Sequence, residues 1–139
     1  MHVLFDTSAI FKRYSGESGA ARVRIIQGQS VRVTAAAHCK MEVASALTRQ
    51  WRDGLFTDAE YARILLEIGN DFEALRVMPI DDQIERFAIG AMRLSQLRAM
   101  DALHIGTAQL AMVDLFVTAD RRQAAAAQMA GLRTELIEA

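Results

Sequence analysis

The chain holds one cysteine, Cys39, so no internal disulfide can form and no cysteine cluster can hold zinc. That usage fits a reducing cytoplasm, the compartment expected for this chain. No apolar run approaches the roughly 20 residues of a membrane span, so no membrane role is expected. A secretory leader is not expected either, because no basic region precedes the apolar start and Asp6 interrupts it. Lysine is nearly absent: Lys12 and Lys40 are the only two, and the other basic residues are arginines. No glycine-rich phosphate loop with its lysine is present. The net charge is -1 and the pI about 6.3, a balance that disfavours gripping duplex nucleic acid by bulk electrostatics. Local phosphate contact stays open, since arginine presents a planar fork suited to phosphates.

What is present is a globular composition, 52% hydrophobic and 24% charged over 139 residues. That length suits one domain, residues 1–139, with a real core. Helical patterns alternate with short apolar runs, the pattern of an α/β sheet domain. Strands are expected at Val3–Phe5, Val31–Ala35, Leu75–Pro79, Leu115–Val117 and Arg133–Ile137. About seven helices separate them, and crossovers of that length make the strands parallel. Thr57-Asp58-Ala59-Glu60 is a capping box that opens one helix. Asp81 or Asp82 caps a long helix running to about Leu97. The helix from about Lys40 to Trp51 carries Met41, Ala44, Leu47 and Trp51 at helical spacing. Trp51, Leu47, Leu55 and Phe56 read as core between that helix and the next.

Four acids stand in similar settings. Asp6 follows the first strand directly, and Asp120 follows the fourth by two residues in "FVTADRR". Both therefore belong at the carboxyl edge of a parallel sheet, where ligands bind in such folds. Glu42 in "KMEVASAL" and Asp101 in "RAMDALHIGTAQLA" lie near helix starts among apolar residues, where a carboxylate is costly. Taken singly, Asp6, Asp101 and Asp120 read more readily as helix caps than as ligands. Glu42 resists that explanation, because glutamate is seldom buried unpaired. If all four converge, their repulsion calls for a shared cation. Oxygen donors without a His/Cys cluster select Mg²⁺ or Mn²⁺, ions that activate water for phosphoryl hydrolysis.

The blocks "FDTSAIFKRY", "MEVASALTRQW", "LRAMDALHIGTAQLA" and "FVTADRR", in that order, resemble the PIN-domain nucleases, most closely the VapC-type toxins of toxin–antitoxin pairs. The resemblance spans nearly the whole chain. It implies a three-layer α/β/α fold with a five-stranded parallel sheet in order 3-2-1-4-5. It further implies Mg²⁺- or Mn²⁺-dependent cleavage of RNA, inhibition by a cognate antitoxin, and a homodimer. The family's acidic quartet falls on Asp6, Glu42, Asp101 and Asp120, as catalytic residues and metal ligands. Ser8 and Thr118 match the hydroxyls that support them. Where some relatives carry a further acid beyond Asp120, this chain has Arg121, Arg122 and Gln123.

Among the arginines, Arg121, Arg122 and Arg13 are the candidate contacts for RNA phosphates. His104 reads as a packing or hydrogen-bonding residue. His38 and Glu42, spaced i, i+4, read as a helix start rather than a transition-metal pair, and Thr7 has no role beyond local turn chemistry. A phospho-acceptor receiver domain is disfavoured, since the first strand leads into Asp-Thr-Ser and no lysine lies beyond Lys40. An Asp-x-Asp phosphatase fails because Ser8 stands where the second acid belongs. The alternative within the fold is a non-toxin or degenerate PIN domain that binds RNA or protein without cutting, and the intact quartet argues against it.

Overall fold

Val3, Leu4 and Phe5 are buried to within 1% of fully, and their alternation divides the molecule. In the computed structural model, which describes residues 1–138, they form β1 (His2–Phe5). Side chains alternate across a strand, so Val3 and Phe5 enter one core and Leu4 the other. The strand β4 (Leu115–Thr118) does the same, with Leu115 and Val117 on one side and Phe116 on the other. With β2 (Arg32–Ala36), β3 (Arg76–Met78) and β5 (Thr134–Leu136) they make a parallel sheet in order β3-β2-β1-β4-β5. The three-layer arrangement and strand order are those the resemblance implies.

One face carries the larger core. It is covered by α1 (Thr7–Ile10), α2 (Lys12–Ser15), α3 (Ala20–Gly28), α4 (Cys39–Arg52) and α5 (Asp58–Glu73). The other face carries α6 (Asp82–Leu94), α7 (Ala99–Ala111) and α8 (Arg121–Met129), packed on Leu4 and Phe116 through small residues such as Ala91, Ala108 and Ala127. Thr57 and Glu60 form the expected reciprocal capping box, and Asp81 caps α6 through the Ile84 amide.

Several local expectations shift. The segment after Asp6 breaks at Phe11 into two single turns, α1 and α2, so the described residues hold eight helical segments rather than about seven. Val31 stands outside β2 and is 89% exposed. On α4 the buried stripe is Cys39, Val43 and Leu47, a strict i, i+4 row. Met41 lies half a turn away and is 70% exposed. Leu55 is also exposed. Trp51 does pack between α4 and α5, stacked on Tyr61 with ring centroids 4.9 Å apart and donating its indole N–H to Asp58. The helix α6 stops at Leu94, and Leu97 turns back against the second core.

Close approach of α6 and α7 depends on Gly106. A Cβ there would sit 2.6 Å from the Ile84 carbonyl oxygen and 2.9 Å from the Ala88 nitrogen, both backbone atoms. Gly90, also helical, has open space around it. Gly106→Ala should therefore destabilise the fold by about 1–3 kcal/mol through overpacking. Gly90→Ala should stabilise by roughly 0.5–1 kcal/mol through helix propensity. Denaturant titration of the two variants reads the difference; matched effects of one sign would contradict the packing.

Candidate active site

The Asp6 amide donates to the Val117 carbonyl at 3.0 Å, extending the β1–β4 pairing by one residue before the chain turns into α1. Asp6 caps that helix in an extended conformation and is only 4% exposed. Its Oδ1 accepts from the Ala9 amide at 3.0 Å and from Ser8 Oγ at 2.7 Å. Its Oδ2 accepts from Thr118 Oγ1 at 2.6 Å. Ser8 Oγ in turn accepts from the Ala119 amide, and Thr118 Oγ1 from the Asp120 amide. Two hydroxyls thus stitch the ends of β1 and β4 together around one carboxylate. Asp120 caps α8, accepting from the Arg122 and Gln123 amides. Both aspartates are caps, and both stand at the carboxyl ends of adjacent parallel strands.

Glu42 and Asp101 approach from the two helical layers. Glu42, in the first turn of α4, accepts at Oε1 from Thr7 Oγ1 at 2.5 Å. His104 Nε2 lies 2.8 Å from the same oxygen, and His38 Nε2 3.4 Å. Asp101 is in the first turn of α7, and its carbonyl accepts from the Gln123 side chain at 2.9 Å, tying α7 to α8. Asp101 and Asp120 share a cleft of about 790 Å³ with Arg98 and Arg122. Arg121 projects outward with an ion pair to Glu138. Arg13 bonds Gln27, lies 3.6 Å from Asp71 and lines a separate cleft.

The electrostatics distinguish the acids. Burial pushes the Asp6 carboxyl above the usual range, against His104 and the hydroxyl and amide donors that pull it down. Desolvation also raises Asp101; His104 opposes it, while the charges of Asp120 and Glu42 push further up. Burial alone would raise Glu42 too, but hydrogen bonds from His104 and Thr7 and the His104 charge hold it low. Neither Asp6 nor Asp101 has an ion-pair partner among the described residues. Hard oxygen donors without a counter-charge fit a divalent cation of the Mg²⁺ class.

Among the described residues, only His38, Glu42 and His104 offer three ligand atoms all within 4.8 Å of one another, a cluster compatible with metal coordination. No three of the four acids come that close among the described residues. The expectation for His104 as a hydrogen-bonding residue holds, but its position between acids was not foreseen. The i, i+3 spacing from Asp101 was the available signal. Thr7, given only turn chemistry, is a donor to Glu42, and nothing local to its sequence pointed across 35 residues.

Residues 3–129 match the PIN domain family, and the chain belongs to it. Several solved structures share the fold. FitAcB from Neisseria gonorrhoeae is 15% identical with a TM-score of 0.69, covering 95% of this chain and 95% of its own. VapBC2 from Rickettsia felis, bound to a DNA fragment from its promoter, is 11% identical with a TM-score of 0.70, covering 99% and 100%. Mycobacterium tuberculosis VapC20, a Sarcin-Ricin loop cleaving toxin, is 16% identical with a TM-score of 0.66, covering 89% and 94%. No curated protein matches the chain significantly in sequence.

Because folding raises the Asp6 pKa, Asp6 binds protons more readily in the folded than in the unfolded state. It therefore opposes folding at neutral pH, and the opposition fades as pH falls into its titration range. In chelator at pH 7.5, Asp6→Asn should unfold at or above the wild-type midpoint. A loss beyond about 1 kcal/mol would mean that its hydrogen bonds outweigh its desolvation.

Proposed function

We propose that this chain is a metal-dependent endoribonuclease, the toxin of a VapBC-type toxin–antitoxin pair, working as a single PIN domain. The observation that carries this is the buried carboxylate of Asp6, without a salt bridge among the described residues, at the sheet edge shared with Asp120, with Glu42 on α4 and Asp101 on α7 in opposite layers. Asp6 and Asp101 would hold Mg²⁺ or Mn²⁺ most directly, with Glu42 and Asp120 ligating directly or through water. The bound ion would supply an activated water and neutralise charge on the phosphoryl group. One carboxylate of the quartet orients or deprotonates the attacking water. Ser8 and Thr118 lock the Asp6 rotamer, so the ligand is preorganised. Arg122, beside Asp101 and Asp120, meets a phosphate of the RNA, with Arg98 across the same cleft; Arg121 and Arg13 lie farther out as phosphate contacts.

Structural neighbours support a partnership of the same kind: VapC20 is a Sarcin-Ricin loop cleaving toxin, and VapBC2 is bound to a fragment of promoter DNA. Here the partners are RNA, a cognate antitoxin and a second copy of the chain, acting in the cytoplasm. Among the described residues no helix is long and apolar enough to cross a membrane.

RNA-end mapping in cells expressing wild type or Asp6→Asn tests the activity. New ends should appear with wild type alone, and purified protein should cut RNA with Mg²⁺ and stop in chelator. Asp101→Asn should cut at least about 100-fold more slowly, and Arg122→Ala should raise KM more than it lowers kcat. Undiminished cleavage by Asp6→Asn would overturn the assignment.

A further inference from the structure

His38, Glu42 and His104 meet on one carboxylate oxygen from two helical layers. His38 stands just before α4, and Glu42 is one helical turn later. His104 comes from α7 and is 2% exposed. Nε2 of His104 and Nε2 of His38 lie 2.8 and 3.4 Å from Glu42 Oε1, and the ring centroids are 4.4 Å apart. Tetrahedral zinc with bonds near 2.1 Å spaces its ligands about 3.4 Å apart. The His38 contact on Glu42 is already at that spacing, and the His104 contact needs to open by about 0.6 Å to enclose such an ion. We propose that these three residues form a binding site for a borderline divalent ion of the Zn²⁺ and Co²⁺ class, different in donor type from the acidic quartet.

Two imidazoles and one carboxylate suit Zn²⁺ or Co²⁺, whereas Mg²⁺ prefers all-oxygen surroundings. The site is reachable, because a cleft of about 530 Å³ opens onto Thr7, His38, Glu42 and Met100. Solvent there supplies the fourth ligand. Ligation requires each ring to carry its proton on Nδ1. Neither Nδ1 has a hydrogen-bond partner among the described residues, so no outer carboxylate there strengthens the imidazoles as in tight zinc sites. The ion is held reversibly, and His38 gives up its contact with the Met100 carbonyl at 2.9 Å to take it.

Glu42 belongs to both clusters. If the nuclease proposal above is right, on which this consequence rests, an ion at His38–Glu42–His104 withdraws Glu42 from the acidic quartet. Low Zn²⁺ then silences Mg²⁺-dependent cleavage even in excess Mg²⁺.

Binding is measured without reference to activity by titrating metal-free protein with Co²⁺ and following visible absorption. Wild type should take up one ion with the bands of a four- or five-coordinate nitrogen-and-oxygen site. His38→Gln, whose amide still donates to Met100, should weaken uptake at least about tenfold. Asp101→Asn should bind Co²⁺ as wild type does. Glu42→Gln, which keeps the hydrogen bonds but not the anionic ligand, should also lose it. Equal uptake by wild type and His38→Gln, or uptake lost in Asp101→Asn alone, would overturn the site and leave a hydrogen-bonded triad that orients Glu42. In RNA cleavage with Mg²⁺, the Zn²⁺ concentration that halves each protein's own Zn²⁺-free rate should be at least about tenfold higher for His38→Gln than for wild type. Equal sensitivity would overturn the inhibitory role. If wild type cuts no RNA, the nuclease proposal fails while the Co²⁺ result still decides the site.

Discussion

Burying the Asp6 carboxylate where β1 ends is the constraint around which the edge of the sheet is arranged. An ionised group removed from water needs hydrogen bonds or a counter-charge. Asp6 has three donors, from Ala9, Ser8 and Thr118, and no ion pair among the described residues. Thr118 lies 112 residues away and reaches Asp6 only because β4 pairs with β1 in parallel register, Phe5 opposite Val117. The same hydroxyl receives the Asp120 amide, so placing one acid also orients the start of α8 and the next acid.

The helical layers are kept apart by the sheet along most of its length, and the carboxyl edge is where they touch. Glu42 rides on α4 over the larger core, and Asp101 on α7 over the smaller one. His104 bridges them, its ring within hydrogen-bonding distance of both Glu42 and Thr7. The close seating of α7 on α6 at Gly106 sits half a turn along from His104, so helix packing and the position of the imidazole are mechanically linked. Asp6 and Asp101 work against folding at neutral pH, because burial raises both carboxyls. The tightly packed strands and alanine-rich helices offset that strain, a division often found at functional sites.

Sequence alone determined what depends on neighbours in the chain. Apolar triplets at Val3–Phe5 and Leu115–Val117, the Thr57–Glu60 box, the Asp81 cap and the acids after strands were all legible, since each rests on local periodicity or local hydrogen bonding. The strand order followed from resemblance to a family, because strand periodicity says nothing of which strands are neighbours. Local pattern also misled where several helical faces were apolar: Met41 fits the spacing on α4 as well as Val43 does, and only the sheet beneath selected Cys39, Val43 and Leu47. Leu55 reads as core on its apolarity, a property that does not by itself require burial, and Val31 reads as strand on the same ground.

Tertiary structure decided the partners of the acids. Thr7 to Glu42 spans 35 residues, His104 to Glu42 62, and Thr118 to Asp6 112. None of these pairings has a sequence signal, because side-chain direction repeats locally while the meeting of two elements is set by sheet order and helix packing. A sequence can show that Asp6 caps a helix; only the parallel pairing of β1 with β4 makes that cap part of a site.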